Sequence, residues 1–187
     1  MYYFPTRLDM VMALLKPGMR IAEVGVWKGE FAHMLTNTCP FELVLIDPWK
    51  GVVPSGDADG NNVCNANLEE IFEGIQDWEE PYIVRRGYSY DVLPKYPDNY
   101  FDAIYIDGDH GFEGCYKDLE LAYKKVKPGG WIMGHDYGQN FLKTRNVYHF
   151  GVQNAVDTFC IRYRQKIVAL GLDGCVSFAI RLEKGTS

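Results

Sequence analysis

The chain has no apolar run approaching the ~20 residues needed to cross a bilayer, and its N-terminal MYYFPTRLDM has neither a basic start nor an apolar signal core. We therefore expect a cytoplasmic protein with no membrane partner. Cations are also in deficit: 19 Lys and Arg against 25 Asp and Glu give a net charge of -6. Such a chain is poorly suited to hold a nucleic acid backbone, so no nucleic acid partner is expected. The five cysteines are odd in number and widely spaced, with no C-x-x-C pair, which argues against a disulfide scaffold or a zinc site. Internal repeats are missing, as is any linker that would divide the chain. What remains is 187 residues with 47% hydrophobic, 24% charged and 14% aromatic residues. That composition is globular, and at this length roughly 70% of the unfolded surface can be buried, so residues 1–187 are expected to form a single domain.

Along the chain, Thr6 and Asp9 open a helix within residues 1–20, with Met10, Val11, Leu14 and Leu15 on one face and Lys16-Pro17-Gly18 as its stop. Short apolar runs follow at Ile21 to Val26, Leu43 to Ile46, Tyr82 to Val84, Ala103 to Ile106 and Trp131 to Met133, and they read as buried parallel strands. Helical patterns lie between them, the clearest carrying Phe112, Cys115, Leu119, Tyr123 and Val126, ended by Lys127-Pro128-Gly129-Gly130. Strand and helix alternate as in a doubly wound α/β sheet. Val152, Ala155, Val156, Phe159 and Tyr163 mark a last helix, and Ile167 to Leu170 with Val176 to Arg181 predict a terminal hairpin. Residues 50–70 and 138–150, polar and glycine-rich, are candidate substrate lid loops, and Tyr2, Tyr3 and Phe4 are candidates for the same pocket.

Ile21 to Phe31 is a strand running into a glycine turn and then a helix, the place where open α/β sheets bind nucleotides. A dinucleotide fingerprint would put glycines at 25, 27 and 30, but Trp27 and Glu30 occupy two of those positions. The indole and the extra carboxylate both disfavour a diphosphate, and Glu23 before the turn suits an ammonium or sulfonium instead. About twenty residues on, Asp47 ends a strand, where an acid can accept ribose hydroxyls. Pro48 and Trp49 follow, and the indole is expected along an adenine face. Asp57, Asp59 and Asn61 mimic a calcium loop, but Asn62 and Leu68 stand where its glycine and glutamate belong, so we discard it.

The segments Glu23-Val24-Gly25-Val26-Trp27-Lys28-Gly29, Asp47-Pro48-Trp49, Tyr105-Ile106-Asp107-Gly108-Asp109-His110, Lys127-Pro128-Gly129-Gly130 and Gly134-His135-Asp136-Tyr137 together resemble class I S-adenosylmethionine-dependent methyltransferases. Within that class the chain is most similar to the small I-D-G-D-H subgroup, loosely related to sugar and macrolide O-methyltransferases. The resemblance runs from about Ile21 to the end. It implies a Rossmann-like, doubly wound seven-stranded sheet with an antiparallel C-terminal strand, and S-adenosylmethionine as cofactor. By position, Glu23, Gly25 and Gly29 would line its methionyl part and Asp47 would hold the ribose. Gly87, Tyr88 and Ser89 would border the adenine, and Val26, Trp27, Pro48, Trp49 and Asp107 complete the cofactor-binding set.

Asp107, Asp109, His110, His135 and Asp136 fall at the ends of two strands that this fold sets side by side. Methyl transfer needs a positioned acceptor and a route for its proton, which a histidine can take near neutral pH. His110 is the expected base because it stands where the catechol-type O-methyltransferases that this segment resembles carry a lysine three places after a metal-binding Asp. The catalytic set is His110, Asp107 and His135. His110 capping the following helix is the plainer alternative. In related metal-dependent enzymes, acids at positions matching Asp107 and Asp136 hold a magnesium ion, a divalent cation that prefers oxygen ligands. Tyr137 stands where a further oxygen ligand would follow, so a metal-free site built on His110 and His135 stays open beside a Mg2+ site. The expected function is methylation of a hydroxyl on a small molecule or saccharide. An NAD(P)-dependent oxidoreductase and a non-catalytic module retaining the nucleotide pocket are the alternatives, and homo-oligomerisation is left open.

Overall fold

The computed structural model describes residues 1–50, 68–76, 82–138 and 151–184. Strands β1 (Tyr2–Phe4), β2 (Arg20–Val24), β3 (Glu42–Asp47), β4 (Tyr82–Arg86), β5 (Phe101–Ile106), β6 (Val126–Gly134), β7 (Ile167–Gly171) and β8 (Ser177–Arg181) form one sheet in the order β1-β7-β8-β6-β5-β2-β3-β4. The strands β2 to β6 run parallel, whereas β8 is antiparallel to both β6 and β7. Seven strands and the terminal hairpin match the sequence expectation. The eighth, β1, is an addition: Tyr2, Tyr3 and Phe4 pair with Ala169 to Gly171 at the sheet edge, where extended aromatic residues are well suited to a strand.

Each inner strand buries both faces, so alternate residues feed two cores. Ile21, Leu43, Leu45, Ala103, Tyr105 and Met133 pack under α1 (Arg7–Leu14), α2 (Glu30–Thr38) and α3 (Leu68–Gln76). Ala22, Val24, Val44, Ile46, Ile104, Ile106 and Ile132 pack under α4 (Ser89–Val92), α5 (Phe112–Lys125) and α6 (Val152–Tyr163). The Thr6 cap is confirmed, its hydroxyl accepting the Asp9 N–H at 3.0 Å. Lys127 to Gly130, expected as a turn, instead lies within β6 as an irregular stretch: α5 hands over to the strand at Val126, and the pairing with β5 shifts register between Phe101 and Ala103. The expected loop 50–70 ends earlier than thought, because α3 begins at Leu68. Residues 51–67 and 139–150, with most of both candidate lids and the discarded calcium loop, lie outside the described residues. Among the described residues no helix is long and apolar enough to cross a membrane.

Candidate active site

The glycine turn joins β2 to α2 at the carboxyl end of the sheet. Gly25 has φ +86°, and a Cβ there would stand 2.1 Å from the Asp107 carbonyl oxygen, so this position admits only glycine. Gly29, at φ +77°, ends the turn as the N-cap of α2. Asp47 organises the backbone between them. One of its oxygens accepts the N–H groups of Val26 (2.9 Å) and Trp27 (3.0 Å), and the other accepts the N–H of Trp49 (2.6 Å). The Val26 and Trp27 amides, which could otherwise point at a pyrophosphate, are thus occupied by a carboxylate whose charge would repel one. Asp47 retains acceptor capacity on Oδ1 for a hydroxyl.

Trp49 departs from expectation. Its side chain is 1% exposed, stacked obliquely against Phe72 at 5.2 Å, with the indole N–H donating to the Trp27 carbonyl at 2.9 Å. It supports the turn from within the core and has no open face for an adenine. Of the five non-glycine residues with positive φ among the described residues, Trp27, Trp49 and Asp136 all lie here, which is where stored backbone strain usually marks a working site.

Glu23 is 2% exposed, and its Oε2 has no hydrogen-bond partner among the described residues. Burial pushes its pKa well up, the Asp107 carboxylate adds to the rise, and the Arg7 guanidinium opposes it. A buried acid without a partner is costly unless a cation joins it. Beside it, Tyr105 shares a buried 3.1 Å hydrogen bond with Ser177, and Arg7 lies 3.6 Å from Asp107 and 3.9 Å from Asp173.

At the ends of β5 and β6 the chain brings together four of the five expected groups, with Asp109 turned to the backbone of the next helix. His110 Nε2 lies 3.4 Å from Asp107 and 3.3 Å from Asp136, and His135 Nδ1 lies 3.5 Å from Asp136 and 3.8 Å from Asp107. Asp136, at φ +61°, turns its buried carboxylate between the two imidazoles. Burial works against charge on both histidines, but the Asp107 and Asp136 carboxylates prevail and raise both pKa values. Asp136 is held below its ordinary range by the same imidazoles in spite of its burial. His110 does not cap α5. Gly111 is the N-cap, and Asp109 accepts the Gly111 N–H at 2.7 Å, which leaves the His110 ring to the cluster. Asp107, His110 and Asp136 each offer a ligand atom within 4.8 Å of the others.

The predicted adenine border follows β4. The Gly87 N–H donates to the Asp47 carbonyl at 2.9 Å, Tyr88 is exposed and stacked on Tyr90 at 5.1 Å, and the Ser89 hydroxyl donates to Asp118 of α5. Sequence reasoning missed Asp118, although an acid between Cys115, Leu119 and Ala122 on the buried stripe of a helix is a readable signal. It also missed Arg7 and Ser177, for which no local pattern exists, and gave no role to Tyr105, which opens the Tyr105-to-His110 segment.

A sheet of this order with an antiparallel last strand and a glycine turn closed by an acid is the arrangement of the class I S-adenosylmethionine-dependent methyltransferases. The chain belongs to the methyltransferase-domain family, whose model matches residues 22–137; membership implies S-adenosylmethionine as the cofactor. It is 30% identical over 134 residues to an uncharacterized protein of Acanthamoeba polyphaga mimivirus, covering 65% of this chain and 53% of that protein. The chain therefore spans about half the length of the curated relative it matches. Similar solved structures include a SAM-dependent methyltransferase from Methanosarcina mazei (TM-score 0.64, 10% identity, 93% of this chain and 97% of that one). Another is the O-methyltransferase NovP (TM-score 0.59, 18% identity, 95% of this chain and 76% of that one). At these identities the structural likeness speaks to fold.

Proposed function

We propose that this chain, acting as a single cytoplasmic domain, transfers a methyl group from S-adenosylmethionine to a hydroxyl of a small molecule or saccharide, with His110 as the base. The observation that carries the reading is Glu23, a buried carboxylate with an oxygen unpartnered among the described residues, beside a turn in which Asp47 takes the Val26 and Trp27 amides. S-adenosylmethionine, when bound, supplies an electrophilic methyl on a sulfonium that leaves as a neutral thioether. Glu23 and Asp107 would face its positive charges, Asp47 a ribose hydroxyl, and Gly87 to Ser89 the adenine.

The chain's own chemical task is then placement of the acceptor and removal of its proton. An acceptor hydroxyl seated against the exposed edge of the His110 ring loses its proton to Nδ1, because Nε2 is buried between Asp107 and Asp136. The resulting imidazolium lies between Asp107 and Asp136, which stabilise it more than they stabilise the neutral ring. His135 and Asp136 hold that geometry. His110→Ala should lower labelled methyl transfer by about a hundredfold or more while leaving S-adenosylmethionine affinity nearly unchanged. Because the flanking acids raise the His110 pKa above its ordinary 6.5, wild-type turnover should climb as pH rises past that value. Activity surviving the substitution would refute the base; tight NAD binding with no affinity for the sulfonium nucleoside would refute the donor and favour the oxidoreductase.

A second reading rests on the 4.8 Å cluster of Asp107, His110 and Asp136. The two carboxylates suit magnesium, whereas the imidazole between them suits a softer ion. Under this reading Asp107 and Asp136 hold the cation and His110 is displaced from between them; loss of turnover in EDTA, restored by Mg2+, would select it.

A further inference from the structure

We infer that Arg7, the first residue of α1, binds the α-carboxylate of the methionyl group; this rests on the reading that the glycine turn takes S-adenosylmethionine. A methionyl tail carries an ammonium and a carboxylate at one carbon. Glu23 and Asp107 answer the first, and the second needs a cation next to them. Arg7 has that place. Its guanidinium stands 3.6 Å from Asp107 and lies over the Phe31 ring, 4.5 Å from the centroid. Phe31 is in the first turn of α2, whose opening amides no side chain caps. Lys28, the nearest cation in sequence, stacks instead on the exposed Trp27 at 4.5 Å.

The backbone of Arg7 is fixed from two sides. Its N–H donates to Asp173 at 2.9 Å, and Gly171 lets the chain pass so close that a Cβ there would stand 2.9 Å from Arg7 Cα. Its head bonds the Tyr105 hydroxyl but keeps donors to spare, since the Asp107 and Asp173 distances of 3.6 Å and 3.9 Å exceed hydrogen-bond length. An arginine with a fixed root, a stacked plane and long ion pairs is preorganised for a planar carboxylate. The terminal β7–β8 hairpin thereby positions a residue from the start of the chain over the cofactor turn.

The test is calorimetric titration of the full chain and of Arg7→Met, which keeps an unbranched side chain but removes the guanidinium over Phe31, with three probes. These are S-adenosylmethionine, its decarboxylated analogue and 5′-methylthioadenosine, which lacks the amino-acid carbon. Wild type should prefer S-adenosylmethionine to the decarboxylated analogue by about tenfold or more. Arg7→Met should weaken S-adenosylmethionine about tenfold to a hundredfold, hold or improve affinity for the decarboxylated analogue, and leave 5′-methylthioadenosine unchanged. Equal losses for all three probes, or none for S-adenosylmethionine, would overturn the assignment. So would a wild type indifferent to decarboxylation, a result that needs no variant to fold. A wild type that binds none of the three overturns the underlying cofactor reading instead, and the inference with it.

Discussion

Asp118→Asn should make this protein more stable at neutral pH. Asp118 sits 5% exposed on the buried stripe of α5, and burial pushes its carboxyl from an ordinary value near 3.8 up to about 6, although the Ser89 hydroxyl it accepts pulls the other way. A folded-state pKa above the unfolded value means that the folded chain holds its proton longer. The favourable contribution is complete below the unfolded value and is lost as pH rises through about 6. A shift of roughly two units corresponds to about 3 kcal/mol of penalty at pH 7.5. Asparagine keeps an oxygen for Ser89 and never ionises, so the variant should gain up to that amount at pH 7.5 and little at pH 4. For a chain of this size the gain corresponds to roughly 6–12 °C in Tm. Urea denaturation of both proteins at the two pH values isolates the effect, since other groups titrate alike in each. A variant less stable than wild type at pH 7.5, or a difference that does not change with pH, would refute the reasoning. The carboxylate's location beneath the Ser89 loop fits a group whose charge is tolerated for positioning.

Gly25→Ala should abolish S-adenosylmethionine binding and cost about 3 kcal/mol or more, because its Cβ would stand 2.1 Å from the Asp107 carbonyl at φ +86°; a normal melt with retained binding would show the turn to be more yielding than its geometry indicates. Burial and the Asp107 carboxylate push the Glu23 pKa well up, and a cationic ligand arriving beside it would draw that pKa back down and favour its ionisation. Calorimetry of S-adenosylmethionine binding in buffers of different ionisation enthalpy should therefore register release of up to about one proton, a signal that Glu23→Gln removes; identical enthalpies in all buffers would place the counter-charge elsewhere.

What could be read from the sequence alone was whatever repeats with a period or sits beside its partner in the chain. Apolar runs placed the strands because both faces of this sheet are buried, and the hairpin at β7–β8 followed from two such runs across a short glycine loop. His110, Asp107 and Asp136 were findable because they end neighbouring strands, where the topology itself brings them together. Trp49 was misplaced for a physical reason: an indole after a strand can face a ligand or the core, and only the Phe72 contact and the bond to the Trp27 carbonyl decide between them. Arg7 was invisible because the Asp173 that fixes it lies 166 positions away, and the Lys127 to Gly130 stretch was misread because proline and glycine signal a turn whether or not a neighbouring strand accepts the bulge.

The choice between a sulfonium and a pyrophosphate ligand shows how far the two kinds of evidence differ in force. In the sequence it rests on two side chains, Trp27 and Glu30, that crowd or repel a phosphate. In the structure it rests on hydrogen-bond accounting. The Gly25 N–H goes to the Ile46 carbonyl at 2.9 Å, the Gly29 N–H to the Val26 carbonyl at 2.8 Å, and the Val26 and Trp27 N–H groups to Asp47. Replacing Trp27 and Glu30 by glycine would restore the fingerprint's spelling without freeing one of those amides. The double variant should therefore still fail to bind NAD, and if it does bind, the side chains and not the carboxylate beneath the turn are what exclude the dinucleotide.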